Sequence, residues 1–312
     1  MYIILSLCYN HLDNLKFSCN ALEYVVKLVI LKRNSECSMN CFEKFLYFLQ
    51  GEMNEPTAFG CFHILCLILL GIAICFLYKI KNKHNEKQLK IVLGIYGVMA
   101  LILETLKQLI WAFNYDAVAN TITWDYEWYA FPFQLCTTPI FVSIICLFLK
   151  KNTLRNYLLS YMSYITILGS ISTMLLPDSC FQSDILVNIH TMWLHLGSFA
   201  VSVYLLISGE VKINVRSLKN AIITFLFFVC LAEVLNISIY HAGILNGETF
   251  NMFYISPYFI SSLPVFDIIQ QNVPYILYLI IYIVALSLGG FIIYGISKLI
   301  NNFYIKRKVN IK

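Results

Sequence analysis

A thiol, an amide and two hydroxyls fall within five residues in Phe131-Pro132-Phe133-Gln134-Leu135-Cys136-Thr137-Thr138-Pro139, where an acidic loop meets a long apolar run. A cysteine so placed suits attack on an acyl carbonyl, provided a base takes its proton and donors meet the oxyanion. The candidate bases are His195 and His190, with Glu233 or Asp178 to orient the imidazole. Gln134, Asn236 or the threonine hydroxyls, Thr138 among them, are the candidate oxyanion donors. A thiolate needs a positive group nearby, and Lys107 or a protonated histidine can supply one. Pro139 has no N–H, so the Leu135 carbonyl loses its helical partner and the backbone beside the thiol opens. The plainer alternative for Cys136 is a packing residue, since a cysteine in an apolar segment behaves as a small hydrophobe.

These groups need elements to carry them, and composition says which. The chain is 59% hydrophobic and 12% charged, with mean hydropathy +0.72. Soluble domains carry about 25% charged residues. The deficit points to an all-α polytopic bundle, whose helices of ~20 apolar residues cross a ~30 Å core. Seven spans are expected, roughly 58–78, 88–113, 129–149, 154–176, 185–208, 217–240 and 273–300. Basic residues cluster in the first, third and fifth connections and the tail; the second, fourth and sixth carry acids without Lys or Arg. The positive-inside rule then sets the start of the first span outside and the C-terminus inside. Residues 1–41 read as a poorly structured, dispensable extension, 42–57 as an amphipathic interfacial segment, 58–300 as the transmembrane domain and 301–312 as a basic cytoplasmic tail. The loop 241–272 is too rich in aromatic residues for disorder and reads as a lid or re-entrant segment.

Within the spans, polar residues recur at helical spacing. Glu104, Lys107, Gln108 and Trp111 share one face; Asn188, Thr191, His195, Ser198 and Ser202 share another; Glu233, Asn236 and Tyr240 share a third. His63 stands near the outer end of the first span. At a rise of ~1.5 Å per residue, Cys136 and Glu233 lie about 10 Å below the outer end of their helices, Glu104 about 14 Å and His195 about 15 Å. Charges at such depth cost at least ~2.5 kcal/mol and normally face a cavity or one another, so an outward-facing polar cavity is expected. Simpler roles exist for each: Glu104 and Lys107 can neutralise each other, Gln108 and Asn236 can join helices, and His63 can cap its helix. His190 and His195 are five apart, about 140° around a helix, and cannot chelate one metal together; no metal or cofactor is expected. The sequence contains no P-loop, Rossmann fingerprint, G-x-S-x-G elbow or H-E-x-x-H motif, and its scattered basic residues exclude a nucleic-acid-binding face.

The string Phe131 to Cys136 resembles the LPLHLC signature of the YwaF-like bacterial integral membrane proteins. Phe59-Gly60-Cys61-Phe62-His63 resembles their FGxxH opening, Leu176-Pro177-Asp178 their TPD, His190 with His195-Leu196-Gly197 their H-x4-HG element, and Asn236 their span-six asparagine. The similarity covers about residues 42–300. Gln134 stands where that family usually has histidine, and the stretch from Phe266 to Tyr275 keeps Pro274 without a Gly-Pro-Trp-Pro pattern. The family is similar to the transmembrane protein 164 group, described as membrane acyltransferases acting on phospholipids with a cysteine nucleophile. The resemblance implies that Cys136 is the matching thiol, and that the protein is a multi-pass cell-membrane acyltransferase or hydrolase of membrane phospholipid or another acyl lipid. A small-solute permease and a non-catalytic binding or sensor protein are the alternatives that the residues leave open.

Overall fold

The computed structural model describes residues 39–82, 85–178 and 180–309. Most of the expected N-terminal extension and the last three residues of the tail lie outside the described residues. The elements run α1 (Cys41–Leu49), α2 (Cys61–Ile80), α3 (Glu86–Ala112), a hairpin of β1 (Phe113–Asp116) and β2 (Thr121–Trp124), α4 (Thr138–Phe148), α5 (Thr153–Tyr161), α6 (Ile167–Leu175), α7 (Ile185–Ile207), α8 (Val215–Ala242), α9 (Phe266–Asn272) and α10 (Tyr275–Val309). A π turn, Met162–Thr166, joins α5 to α6 into one bent rod.

The all-α bundle is as expected, with one correction. Among the described residues, six helices are long and apolar enough to cross a membrane; the third expected span, 129–149, is not among them. Only Thr138–Phe148 is helical there. Eleven residues rise about 16 Å, half of a bilayer core. Two prolines explain the break. Pro132 and Pro139 each lack an N–H, and Pro139 fits only in a first helical turn, where the N–H has no partner anyway. The helix therefore starts at Thr138, and Cys136 lies two residues ahead of it in a turn, not 10 Å along a helix. The opened Leu135 carbonyl is rescued by the Thr138 hydroxyl, which donates to it at 2.9 Å.

Asparagines start the helices. Asn85, Asn152 and Asn214 each accept a backbone N–H from the first turn of α3, α5 and α8, and Asn40 forms a reciprocal capping box with Glu43 at α1. Each cap stabilises its helix by about 1 kcal/mol. The hairpin, not expected from sequence, pairs Phe113 with Trp124 through Asp116 with Thr121; Asp116 closes its turn by accepting from the N–H of Val118 and Ala119.

α3 and α7 are the axis of the bundle, and two glycines set their approach. A Cβ on Gly197 would stand 2.7 Å from the Tyr96 ring, and one on Gly97 would stand 2.9 Å from Ser143. The bare backbones let α7 and α4 close on α3. Tyr96 then donates to the Leu194 carbonyl at 3.2 Å, and the Trp193 indole donates to the Tyr96 carbonyl at 3.3 Å. α2 and α10 are peripheral: 11% and 17% of their apolar windows are buried, against 67% for α7 and for the α5–α6 rod. α2 exposes Leu65, Ile68, Leu69, Ile72 and Phe76, the surface that lipid covers. At the end away from the hairpin, buried Arg155 holds both carboxylate oxygens of Glu86 at 2.5 and 2.9 Å, fixing α5 to α3.

Candidate functional site

The innermost charges are on α3. Lys107 Nζ lies 2.7 Å from Glu104 Oε1, and His190 Nε2 of α7 lies 2.8 Å from Glu104 Oε2. All three side chains are buried. The His190 approach is off the hydrogen-bond line, so it is a close contact rather than an aligned bond. His190, one of the two candidate bases, is 4% exposed. Glu104 draws it inward, since a buried carboxylate needs partners on both oxygens. Gln108 donates to Glu104 Oε1 at 2.8 Å and to the Ala130 carbonyl at 2.6 Å. That second bond ties the ionic cluster to the backbone that leads into Cys136.

The segment 131–137 is held by its own side chains. Thr137 Oγ1 accepts from the Gln134 N–H at 2.8 Å and donates to the Gln134 carbonyl at 3.0 Å. Thr138 Oγ1 also lies 2.7 Å from the buried Tyr161 hydroxyl. Cys136 is half-buried as a residue, with Lys107, Glu104 and Cys180 within electrostatic reach of its thiol. Tyr96, Tyr161, Tyr254 and Tyr282 lie within reach of it as well. Neither imidazole hydrogen-bonds the sulfur: His190 Nε2 faces Glu104, and His195 Nδ1 lies 3.1 Å from the Thr173 hydroxyl on α6.

Two amides clamp the far side. Gln134 Nε2 donates to the Asn251 carbonyl at 2.9 Å while its Oε1 accepts from the Phe253 N–H at 2.7 Å. Asn236 of α8 makes the same paired contact with Met252, at 3.0 and 2.7 Å. The clamped residues form the turn Met252–Tyr254, in which Phe253 and Tyr254 both have positive φ, 57° and 59°. Gln134 and Asn236 were expected to stabilise an oxyanion; their oxygens and one N–H each are instead engaged by this turn. A carboxamide presents donor and acceptor side by side, which is what a backbone edge requires.

The remaining expected site residues sit elsewhere. His63 Nδ1 accepts the Phe59 N–H at 3.0 Å, and Asp178 accepts the Ala58 N–H at 2.6 Å. They fasten the start of α2 to the α6–α7 connection, with Phe181 against the His63 ring. Glu233 meets Tyr275 of α10. Among the described residues, none of His63, Asp178, Glu233 and His195 is hydrogen-bonded to Cys136. Sequence reasoning passed over Cys180 and the tyrosines. With 21 tyrosines in the chain, residue type alone could not single these out. Among the described residues no group of three or more His, Cys, Asp or Glu could hold a metal ion.

One family model matches the chain, over residues 58–294; its description is the TMEM164 family. The match spans every element from α2 into α10 and includes Cys136 and both histidines. It supports the transmembrane protein 164 resemblance and says nothing of the YwaF-like bacterial proteins. No curated protein and no solved structure matches.

Proposed function

The chain belongs to the TMEM164 family, and from that premise we propose that this integral membrane protein transfers acyl groups between membrane lipids through a thioester on Cys136. The observation that carries the proposal is the Cys136 thiol at the broken end of a short helix, within electrostatic reach of Lys107 and Glu104 of the buried Lys107–Glu104–His190 cluster. A phospholipid of the cell membrane enters from the hairpin end, which the basic loops at the opposite end assign to the outside.

Cys136 Sγ adds to the carbonyl carbon of an acyl ester: the S–C bond forms, and the π pair moves to oxygen. The thiol proton passes to His190, whose Nε2 is turned to Glu104 and whose Nδ1 is the basic site. Lys107 favours the thiolate by its charge. Collapse restores the carbonyl and breaks the ester C–O bond; the departing oxygen takes the proton and leaves as a lysophospholipid. A hydroxyl of an acceptor lipid, or water, then attacks the thioester, and its proton returns by way of the imidazole to the sulfur. His190 is favoured over His195 because an acid lies beside it and a threonine beside the other.

The test uses the full chain in phosphatidylcholine nanodiscs with lysophosphatidylethanolamine as acceptor. Intact mass is expected to show a hydroxylamine-labile acyl adduct lost in Cys136→Ser, and acyl transfer is expected to stop in that variant. Full turnover by Cys136→Ser without an adduct would overturn the proposal.

A further inference from the structure

The apolar residues of α1 point in two directions. Leu46 is wholly buried and joins Met39, Ile110, Phe113 and Val187 in a small cluster at the hairpin end of α3 and the start of α7. Phe42 and Phe45 remain 48% and 47% exposed. A helix this short gains from packing one apolar side; a second apolar side, left bare, calls for a partner.

The height of α1 is set by its last contact. Gln50, the residue that ends the helix, donates through Nε2 to the Ile110 and Phe113 carbonyls at 2.7 and 2.6 Å. In α3 the charged first turns run to Lys90, and the twenty residues from Ile91 to Ile110 rise about 30 Å, the depth of a bilayer core. α1 is therefore fastened where hydrocarbon gives way to headgroups.

Its rotation is set by the hairpin. That hairpin continues beyond the end of α3, and Val118 at its tip is 98% exposed, so it projects into water. The Tyr47 ring meets Tyr115 of β1 edge-on, with centroids 5.6 Å apart. Glu43 lies one turn back on the same side as Tyr47 and closes the capping box with Asn40. At about 100° per residue, Phe45 is turned about 160° from Tyr47 and Phe42 about 140°. The two phenylalanines thus point away from the hairpin and from water, towards the bilayer. The rest of the segment 42–57 is engaged differently. The Met53 N–H donates to the Ser183 carbonyl at 2.7 Å and the Ile185 N–H to the Gly51 carbonyl at 3.0 Å, so residues 51–53 are stitched to the α6–α7 connection.

We propose that α1 lies in the membrane plane at the hairpin end, with the face of Phe42 and Phe45 set among the acyl chains of that leaflet. Its partner is lipid, met by an amphipathic helix at the depth where such helices settle. Ile110 follows Lys107 by three residues, so this anchor holds the outer turn of the helix that carries the ionic cluster. The inference stands apart from the chemistry at Cys136.

The experiment puts the photo-crosslinker p-benzoylphenylalanine in place of Phe42, Phe45 or Val118, one at a time, in the full chain in phosphatidylcholine nanodiscs. After irradiation, mass spectrometry of the intact chain and its digest identifies the adduct. Phospholipid adduct at 42 and 45 is expected to exceed that at 118 by about tenfold. Lipid adduct at 42 and 45 no higher than at 118 overturns the proposal. So does a covalent dimer, or a crosslink within the chain, formed at these positions in place of the lipid adduct. Should either variant fail to fold, hydroxyl-radical footprinting of the parent protein decides. Phe45 is then expected to oxidise about tenfold more slowly than Trp124 of β2, which is also 47% exposed, once the intrinsic reactivities of the two rings are divided out. Equal corrected rates overturn the assignment.

Discussion

Replacing Gln134 by leucine tests the clamp most directly. The substitution keeps the volume of the side chain near enough to pack against Phe133 and Phe253, and it removes both contacts with the turn. The Phe253 N–H and the Asn251 carbonyl lose their partners. Phe253 is wholly buried, so its N–H has no route to water without movement. A buried group left unsatisfied costs about 1–3 kcal/mol, and two such groups together cost about 3 kcal/mol if the carbonyl recovers part of its share from solvent. That loss falls on a turn already in an unfavourable conformation, so it appears as local opening before global unfolding. Three kcal/mol corresponds to roughly a 150-fold change in an equilibrium constant. Hydrogen exchange read by mass spectrometry over residues 251–255 is expected to quicken by about that factor. Exchange in the α3 and α7 peptides is expected to stay as it was. Gln134→His is expected to fall between, because an imidazole sets donor and acceptor on opposite sides of a ring and cannot serve both neighbours of one backbone edge. Unchanged exchange at Phe253 in the leucine variant would refute the reasoning, and with it the claim that the amide, rather than the surrounding rings, fixes the turn.

Three further outcomes follow from the geometry. Glu104→Gln strands Lys107 and His190 in the bundle and is expected to cost about 3–5 kcal/mol in denaturant unfolding in detergent; adding Lys107→Met is expected to restore more than half of the loss. Gly197→Ala drives a methyl against the Tyr96 ring and is expected to cost about 1–3 kcal/mol, read as a lower unfolding temperature, with no loss in a Gly197→Ala, Tyr96→Ala pair beyond that of Tyr96→Ala alone. Asp184, at the start of α7, has its carboxyl held above the usual range by burial and then by Glu52. A carboxyl raised on folding favours the folded state below its ordinary value and loses that contribution as pH climbs through the raised one. Asp184→Asn is therefore expected to raise the unfolding temperature at neutral pH, with the advantage disappearing below about pH 4.

The helices were legible because a membrane leaves few choices: long apolar runs between charged connections can only be rods, and six of the seven expected spans are present. The third expected span misled because hydropathy counts apolar side chains and ignores backbone hydrogen bonds. Residues 129–149 look like a full crossing until Pro132 and Pro139 are taken together as a stop and a start. Glu104, Lys107 and Gln108 were readable as one face, and the structure keeps them so. Their partner was not: His190 is nearly half a turn from the polar stripe of α7, and only the close approach at Gly197 shows that α7 presents that side to α3. Gln134 and Asn236 were visible as buried amides, but amides serve substrate and backbone equally well, and their partners at 251–253 lie more than a hundred residues from Gln134. No local pattern announces positive φ at Phe253 and Tyr254, since neither is glycine or asparagine.

The half-length α4 bears on how the protein is made. During synthesis, residues 129–149 reach the membrane well before residues 251–254 exist. At that stage the stretch around Cys136 has no amide clamp, no Tyr278 and no turn to lie against, and bare backbone in lipid is untenable. The nascent stretch must therefore satisfy its own backbone first and adopt its final form only once the C-terminal third has been threaded and docked. Shape at the thiol is thus a late event in biogenesis, and a chain cut short after α7 can hold its rods in the bilayer while never having possessed the site.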